Sequence, residues 1–81
     1  MKTAKYFTAS WCGPCKMFKP LIEEAVSEGH SIEILDIDNS QAIAMQYNVM
    51  SVPTVVIEED GAEIDRLVGV TTKDEVVRRL A

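Results

Sequence analysis

Apolar spacing along this chain switches between a period near two and a period near 3.6, and the order of the switches predicts its elements. Thr3 to Thr8, with Tyr6 and Phe7 at its centre, predicts a central strand covered on both faces. From Cys15 to Glu28 the pattern is helical. Phe18, Leu21, Ile22, Ala25 and Val26 form one apolar face, and Lys16, Lys19, Glu23, Glu24 and Glu28 cover the other. Pro20 lies inside this helix, removes one hydrogen bond and should kink it, and Gly29 ends it. Ile32 to Ile37 predicts the next strand, parallel to the first through a right-handed crossover. Asp38, Asn39 and Ser40 supply capping side chains for a short helix from about Gln41 to Tyr47, with Ala44, Met45 and Tyr47 as core contacts and Asn48 as its end. Thr54 to Glu58 and Ala62 to Val68 are strands joined at Glu59-Asp60-Gly61, a hairpin signal. Glu63, Asp65 and Arg66 put charge on the second of these, which suits a sheet edge. Thr72-Lys73-Asp74-Glu75 predicts a capping box for a last helix, with Val76, Val77 and Leu80 as its apolar stripe and Arg78 and Arg79 at its negative end.

The order β-α-β-α-β-β-α predicts an α/β fold: a four-stranded mixed sheet, strand order 2-1-3-4, with helices on both faces. The 81 residues should form one domain, 1–81. A formal net charge of −5 argues against nucleic acid, which needs a basic face. It fits a chain that avoids self-association, and a monomer is expected. The longest apolar run, Ala42 to Met45, is too short for a membrane span. Met1-Lys2-Thr3 leads directly into a strand with no signal-peptide core, so the expected compartment is the cytoplasm.

That compartment changes how the two cysteines are read. They are Cys12 and Cys15, in Trp11-Cys12-Gly13-Pro14-Cys15-Lys16, at the junction of the first strand and the first helix. Cytosolic thiols are kept reduced, and a disulfide there is usually transient and catalytic. A stapling disulfide would close too short a loop to constrain the unfolded chain much. A zinc site needs about four ligands, and only His30, distant in sequence, accompanies the two thiols. The reactive form of cysteine is the thiolate, and a free thiol has a pKa of about 8.5. Unpaired N–H groups at a helix start favour an anion at Cys12, and Lys16 and Lys19 add positive charge. Gly13 and Pro14 suit a tight turn into a helix, where proline has no N–H to lose. The helix then tucks Cys15 inward. Cys12, at the exposed helix start, should attack and be alkylated first; Cys15 should resolve.

Trp-Cys-Gly-Pro-Cys-Lys resembles the active site of the thioredoxin family, and Pro20, five residues after the second cysteine, is similar to that family too. The resemblance covers essentially the whole chain, in the outline of a thioredoxin without its usual first strand and helix, close to glutaredoxin length. It implies a protein disulfide oxidoreductase working through Cys12 and Cys15. It implies that Val52-Pro53 is a cis-proline loop beside the thiols, with the Val52 backbone offered to an extended substrate segment. Gly69 matches a family glycine that lets substrate approach. The implied contact surface is Trp11, Gly13, Pro14, Val52, Pro53, Val68, Gly69 and Val70. No bound cofactor is implied; electrons would come from NADPH through a flavin thioredoxin reductase, and clients would be ribonucleotide reductase, peroxidases or similar enzymes. One departure stands out. The family carries a buried aspartate six residues before the first cysteine, where this chain has Tyr6, and its paired lysine is replaced by Ile34. The alternatives are a glutathione-dependent, glutaredoxin-like reductase and a non-catalytic binding subunit. No basic cluster beside Val52-Pro53 is seen to hold glutathione carboxylates.

Overall fold

The computed structural model describes residues 1–81. Strands β1 (Lys2–Thr8), β2 (Ile32–Asp36), β3 (Thr54–Glu59) and β4 (Ala62–Val68) alternate with helices α1 (Gly13–Ser27), α2 (Gln41–Gln46) and α3 (Lys73–Leu80) in the order β-α-β-α-β-β-α. They form one four-stranded sheet of order β2-β1-β3-β4. β1 pairs parallel with β2 and antiparallel with β3, and β3 pairs antiparallel with β4. Asp60 and Gly61, at φ 53° and 87°, turn the β3–β4 hairpin. Two successive left-handed residues match the twist of the flanking strands, as the Asp-Gly pair predicts.

β1 and β3 are the central strands, so both of their faces are covered. On one face Tyr6, Val55 and Ile57 meet Phe18 and Ile22 of α1 and Val76 of α3. On the other, Phe7 and Val56 meet Ala44, Ile43 and Tyr47 around α2. The buried stripe of α1 is narrower than its sequence pattern: Phe18, Ile22 and Ala25 are buried, while Leu21 and Val26 stay partly exposed. With only α3 beside it, α1 has no second neighbour to cover that flank. The helix runs unbroken through Pro20. Met45, expected in the core, is 78% exposed, because the six-residue α2 presents only the face carrying Ala44 to the sheet.

Two capping expectations also change. Thr72 Oγ1 accepts the Glu75 N–H at 3.1 Å, but the Glu75 carboxylate turns to Arg78 and Arg79, so only half of the box forms. Ser40 is the α2 N-cap by position yet its side chain makes no capping bond. Asp38, another of the expected caps, instead uses its side chain to accept the Trp11 indole N–H.

Tyr6 is fully buried and meets Phe18 edge to face, ring centroids 5.6 Å apart. Its hydroxyl is the one buried side-chain polar atom without a hydrogen-bond partner. Burial pushes its phenol pKa up, and the nearby Thr8 hydroxyl acts weakly the other way. A buried, unpaired hydroxyl is a net cost of about 1–3 kcal/mol. Tyr6→Phe is therefore expected to raise the melting temperature by roughly 4–8 °C for each kcal/mol recovered, with turnover unchanged. A thermal melt and a turnover assay on the variant check this; a lower melting temperature would mean that the hydroxyl is satisfied in solution.

Candidate active site

The carboxyl end of β1 delivers the chain to Cys12, which is the N-cap of α1 with extended backbone, φ −85° and ψ 112°. Gly13 and Pro14 then occupy the first helical positions, where a missing N–H loses nothing. Cys12 and Cys15 are joined as a disulfide, with Cα atoms 5.3 Å apart. The Cys15 N–H donates to Cys12 Sγ at 3.2 Å. That bond serves one of the free N–H groups of the first turn, and its strength grows when the sulfur is an anion. Cys12 Sγ also lies 3.7 Å from the Val52 carbonyl oxygen. The sulfurs sit in a small apolar nest with Ala9, Ile37 and Val52. Cys12 is 4% exposed and Cys15 2%. The expected exposed Cys12 is thus covered, because Val52 and the end of β1 close over it. Chemistry at the two sulfurs is separated by hydrogen bonding and helix position, and hardly by exposure.

The segments expected to form a contact surface do meet here. The Val52–Pro53 bond is cis. The Gly69 N–H donates to the Pro53 carbonyl at 2.8 Å, which ties the end of β4 to the Pro53 loop. Gly69 has φ 91°, a left-handed conformation that favours glycine. Trp11, Val68 and Val70 are exposed, and Pro53 is buried at the base of its loop. Trp11 is held by its edge: Nε1 donates to Asp38 Oδ2 at 2.9 Å. Sequence reasoning read Asp38 as a helix cap and missed this role. Its position just past the end of β2, the strand beside β1, was the available signal. Arg66 was likewise read only as an edge charge. Its guanidinium donates to the Tyr47 carbonyl at 2.7 Å while pairing with Glu63, and so ties β4 to the end of α2, just upstream of the Val52-Pro53 loop.

The comparisons with known proteins agree with this geometry. The thioredoxin family model matches residues 4–81. The chain belongs to the thioredoxin family. The thioredoxin of Chlamydia caviae is 46% identical over 74 residues, covering 89% of this chain and 72% of that protein. The thioredoxin of Staphylococcus aureus is 42% identical over 77 residues, covering 91% of this chain and 74% of that one. Among solved structures, Fasciola hepatica thioredoxin superposes with a TM-score of 0.89 at 31% identity, covering 99% of this chain and 81% of that one. A mutant thioredoxin from Halobacterium salinarum gives a TM-score of 0.87 at 33% identity, covering 98% of this chain and 71% of that one. This family member is a protein disulfide oxidoreductase acting by dithiol–disulfide exchange, and its Cys12–Cys15 pair is in the disulfide form. Thioredoxins as a family work with thioredoxin reductase and disulfide clients and bind no cofactor of their own.

Proposed function

We propose that Cys12 is the attacking thiol, that Cys15 resolves, and that Trp11, Gly13, Pro14, Val52, Pro53, Val68, Gly69 and Val70 form the client-binding surface. The observation that carries the division of labour is the N-cap position of Cys12 with the Cys15 N–H on its sulfur. A thiolate at Cys12 is stabilised by that bond and by the partial positive charge of the helix start. Cys15, one helical turn in, lacks such a bond at its own sulfur. In the reaction, the Cys12 thiolate attacks a client disulfide, one client sulfur leaves as a thiolate, and a mixed disulfide forms. Cys15 then loses its proton and attacks Cys12 sulfur. The second client sulfur leaves, and Cys12–Cys15 is left oxidised. Two electrons and two protons pass from the dithiol to the client.

The surface is apolar and small, suited to brief contact with many partners, and the Val52 backbone beside Cys12 supports strand-like docking of an extended client segment. On this reading a flavin thioredoxin reductase restores the dithiol with electrons from NADPH, and clients are enzymes such as ribonucleotide reductase or peroxidases. The protein works as a monomeric single domain in the cytoplasm. The test is insulin disulfide reduction driven either by NADPH with thioredoxin reductase or by glutathione with glutathione reductase. The first arm should sustain turnover. Faster turnover in the glutathione arm would overturn the electron donor named here, and no turnover in either would favour a binding subunit.

A further inference from the structure

Resolution requires Cys15 to give up a proton, and Tyr6 cannot take it, since burial drives the phenol pKa up and away from neutrality. The structure nevertheless brings a carboxylate from another strand into a pocket that Cys15 also lines. A pocket of about 370 Å³ opens beside Cys15, walled by Thr8 and Ser10 from the end of β1, Cys15, Lys16 and Lys19 from α1, and Asp36 from β2. Asp36 is the only carboxylate in that wall. The parallel register pairs Thr8 with Asp36, and the Ile37 N–H extends the ladder to the Thr8 carbonyl at 2.9 Å. That register sets Asp36 at the carboxyl end of the sheet, level with the start of α1. Asp36 Oδ1 accepts the Asp38 N–H at 2.8 Å, which fixes the carboxylate, while Oδ2 has no protein partner.

We propose that Asp36 is the positioning residue and proton acceptor for resolution, acting on Cys15 through water in this pocket. The inference rests on the dithiol-exchange reading above. The pocket exceeds the roughly 30 Å³ that a water occupies in the liquid and offers hydroxyl, ammonium and carboxylate partners for one. In the step, a water held by Asp36 Oδ2 takes the Cys15 proton and passes one of its own to Asp36. The Cys15 thiolate attacks Cys12 sulfur, the Cys12–client bond breaks, and its electron pair leaves on the client thiolate. Asp36 then returns its proton to solvent. The charged and titratable groups facing Asp36 are Cys15, Lys16 and Lys19 from α1 and Asp38 just beyond β2. Cys12 lies across the disulfide, and neither Tyr6 nor Glu23 lines the pocket. Lys16 and Lys19 make no ion pair and are exposed, so their charge favours both anions of the step.

Asp36→Asn tests this without disturbing the fold, because the asparagine Oδ1 can still accept the Asp38 N–H and keep Asp38 aimed at Trp11. Reduced protein mixed with Ellman's reagent in a stopped-flow cell releases one thionitrobenzoate when Cys12 attacks and a second when Cys15 resolves. In Asp36→Asn the first phase should keep its rate, and the second should slow by at least about tenfold, below the usual range of about 10²–10⁴ for general-base catalysis because water still serves. Asp36→Glu, which restores a carboxylate, should recover the rate of the second phase. Equal second-phase rates in wild type and Asp36→Asn would overturn the proposal. Equal slowing of both phases would also overturn it, since that marks a structural role through Asp38 and Trp11. Release of one equivalent only from the wild type would instead sink the exchange reading itself.

Discussion

Cys15→Ser should turn the protein into a trap. With the attacking thiol intact and the resolving thiol gone, the mixed disulfide at Cys12 has no internal exit and should accumulate with client proteins, visible as a reducible adduct on a gel. Cys12→Ser should form no such adduct at comparable concentration. Turnover of either variant should fall by at least about a thousandfold, the scale on which losing one member of a covalent catalytic unit acts. The asymmetry follows from hydrogen bonding at the helix start. In the fold, the Cys15 N–H reaches Cys12 Sγ at 3.2 Å, and Cys12 closes the N-terminus of α1. Because both residues are almost fully covered, at 4% and 2%, alkylation rates should track thiolate character more than access. Limited iodoacetamide followed by mass mapping should therefore label Cys12 first, and increasingly so as the pH is lowered toward neutrality. Equal trapping by Cys12→Ser and Cys15→Ser would reverse the roles assigned here.

The second large effect is on stability and belongs to Glu58. This residue is 3% exposed on β3, an unusual place for a carboxylate. Its Oε1 takes the Lys5 ammonium at 2.7 Å and its Oε2 takes the Tyr47 hydroxyl at 2.6 Å. Lys5 also lies over the Tyr47 ring, 5.5 Å from its centroid. The Lys5 hydrogen bond first, and the Tyr47 hydroxyl second, hold the Glu58 carboxyl below the ordinary carboxylate range. The same contact raises the Lys5 and Tyr47 pKa values, so both stay protonated near neutrality. A folded pKa below the unfolded one means that the stabilisation is fully present above the unfolded value of about 4.3. It is lost as pH falls from there through the folded value. Glu58→Gln leaves the Lys5 ammonium with only the more distant Glu33, 3.8 Å away, as counter-charge. The expected loss at neutral pH is about 2–3 kcal/mol, the range for a hydrogen bond to a charged group in a covered site. Urea unfolding as a function of pH should show the wild type losing stability steeply on the acid side, with a shallower slope in Glu58→Gln. Parallel curves would mean that the carboxylate is not tied to Lys5 in solution.

The same cluster bears on the site. Tyr47 is the C-cap of α2, and Arg66 holds its carbonyl from β4. The chain runs from there to Val52, whose carbonyl faces Cys12. Weakening Glu58 should loosen the segment that carries Val52 before it disturbs α1, and amide exchange in residues 48–52 should report it.

The order of elements, the strand partners of the central sheet, the Asp60-Gly61 turn and the position of Cys12 at a helix start were all legible in the chain. Each is written in neighbouring residues: a period of two or 3.6, a proline at the first helical turn, two turn-forming residues in succession. Tyr6 in place of a buried acid was legible for the same reason, as a position counted from Cys12. Polar partnerships were not, because they join residues far apart in sequence. Trp11 reaches Asp38 across 27 positions and Lys5 reaches Glu58 across 53, and only strand register brings them together. Alternation marks which face of a strand a residue occupies but not which side chain waits across the ladder, so Glu58 read as an ordinary strand end and Asp36 only as a position within the second strand. The apolar pattern likewise overstated what is covered: Met45 fits a helical stripe, but whether a stripe is buried depends on what packs over it. The sequence by itself therefore determined the sheet, the helix that carries the two thiols and the chemistry they do. Tertiary structure decided which carboxylates stand beside them, because a charge in a covered site persists only where a partner from another strand or helix meets it.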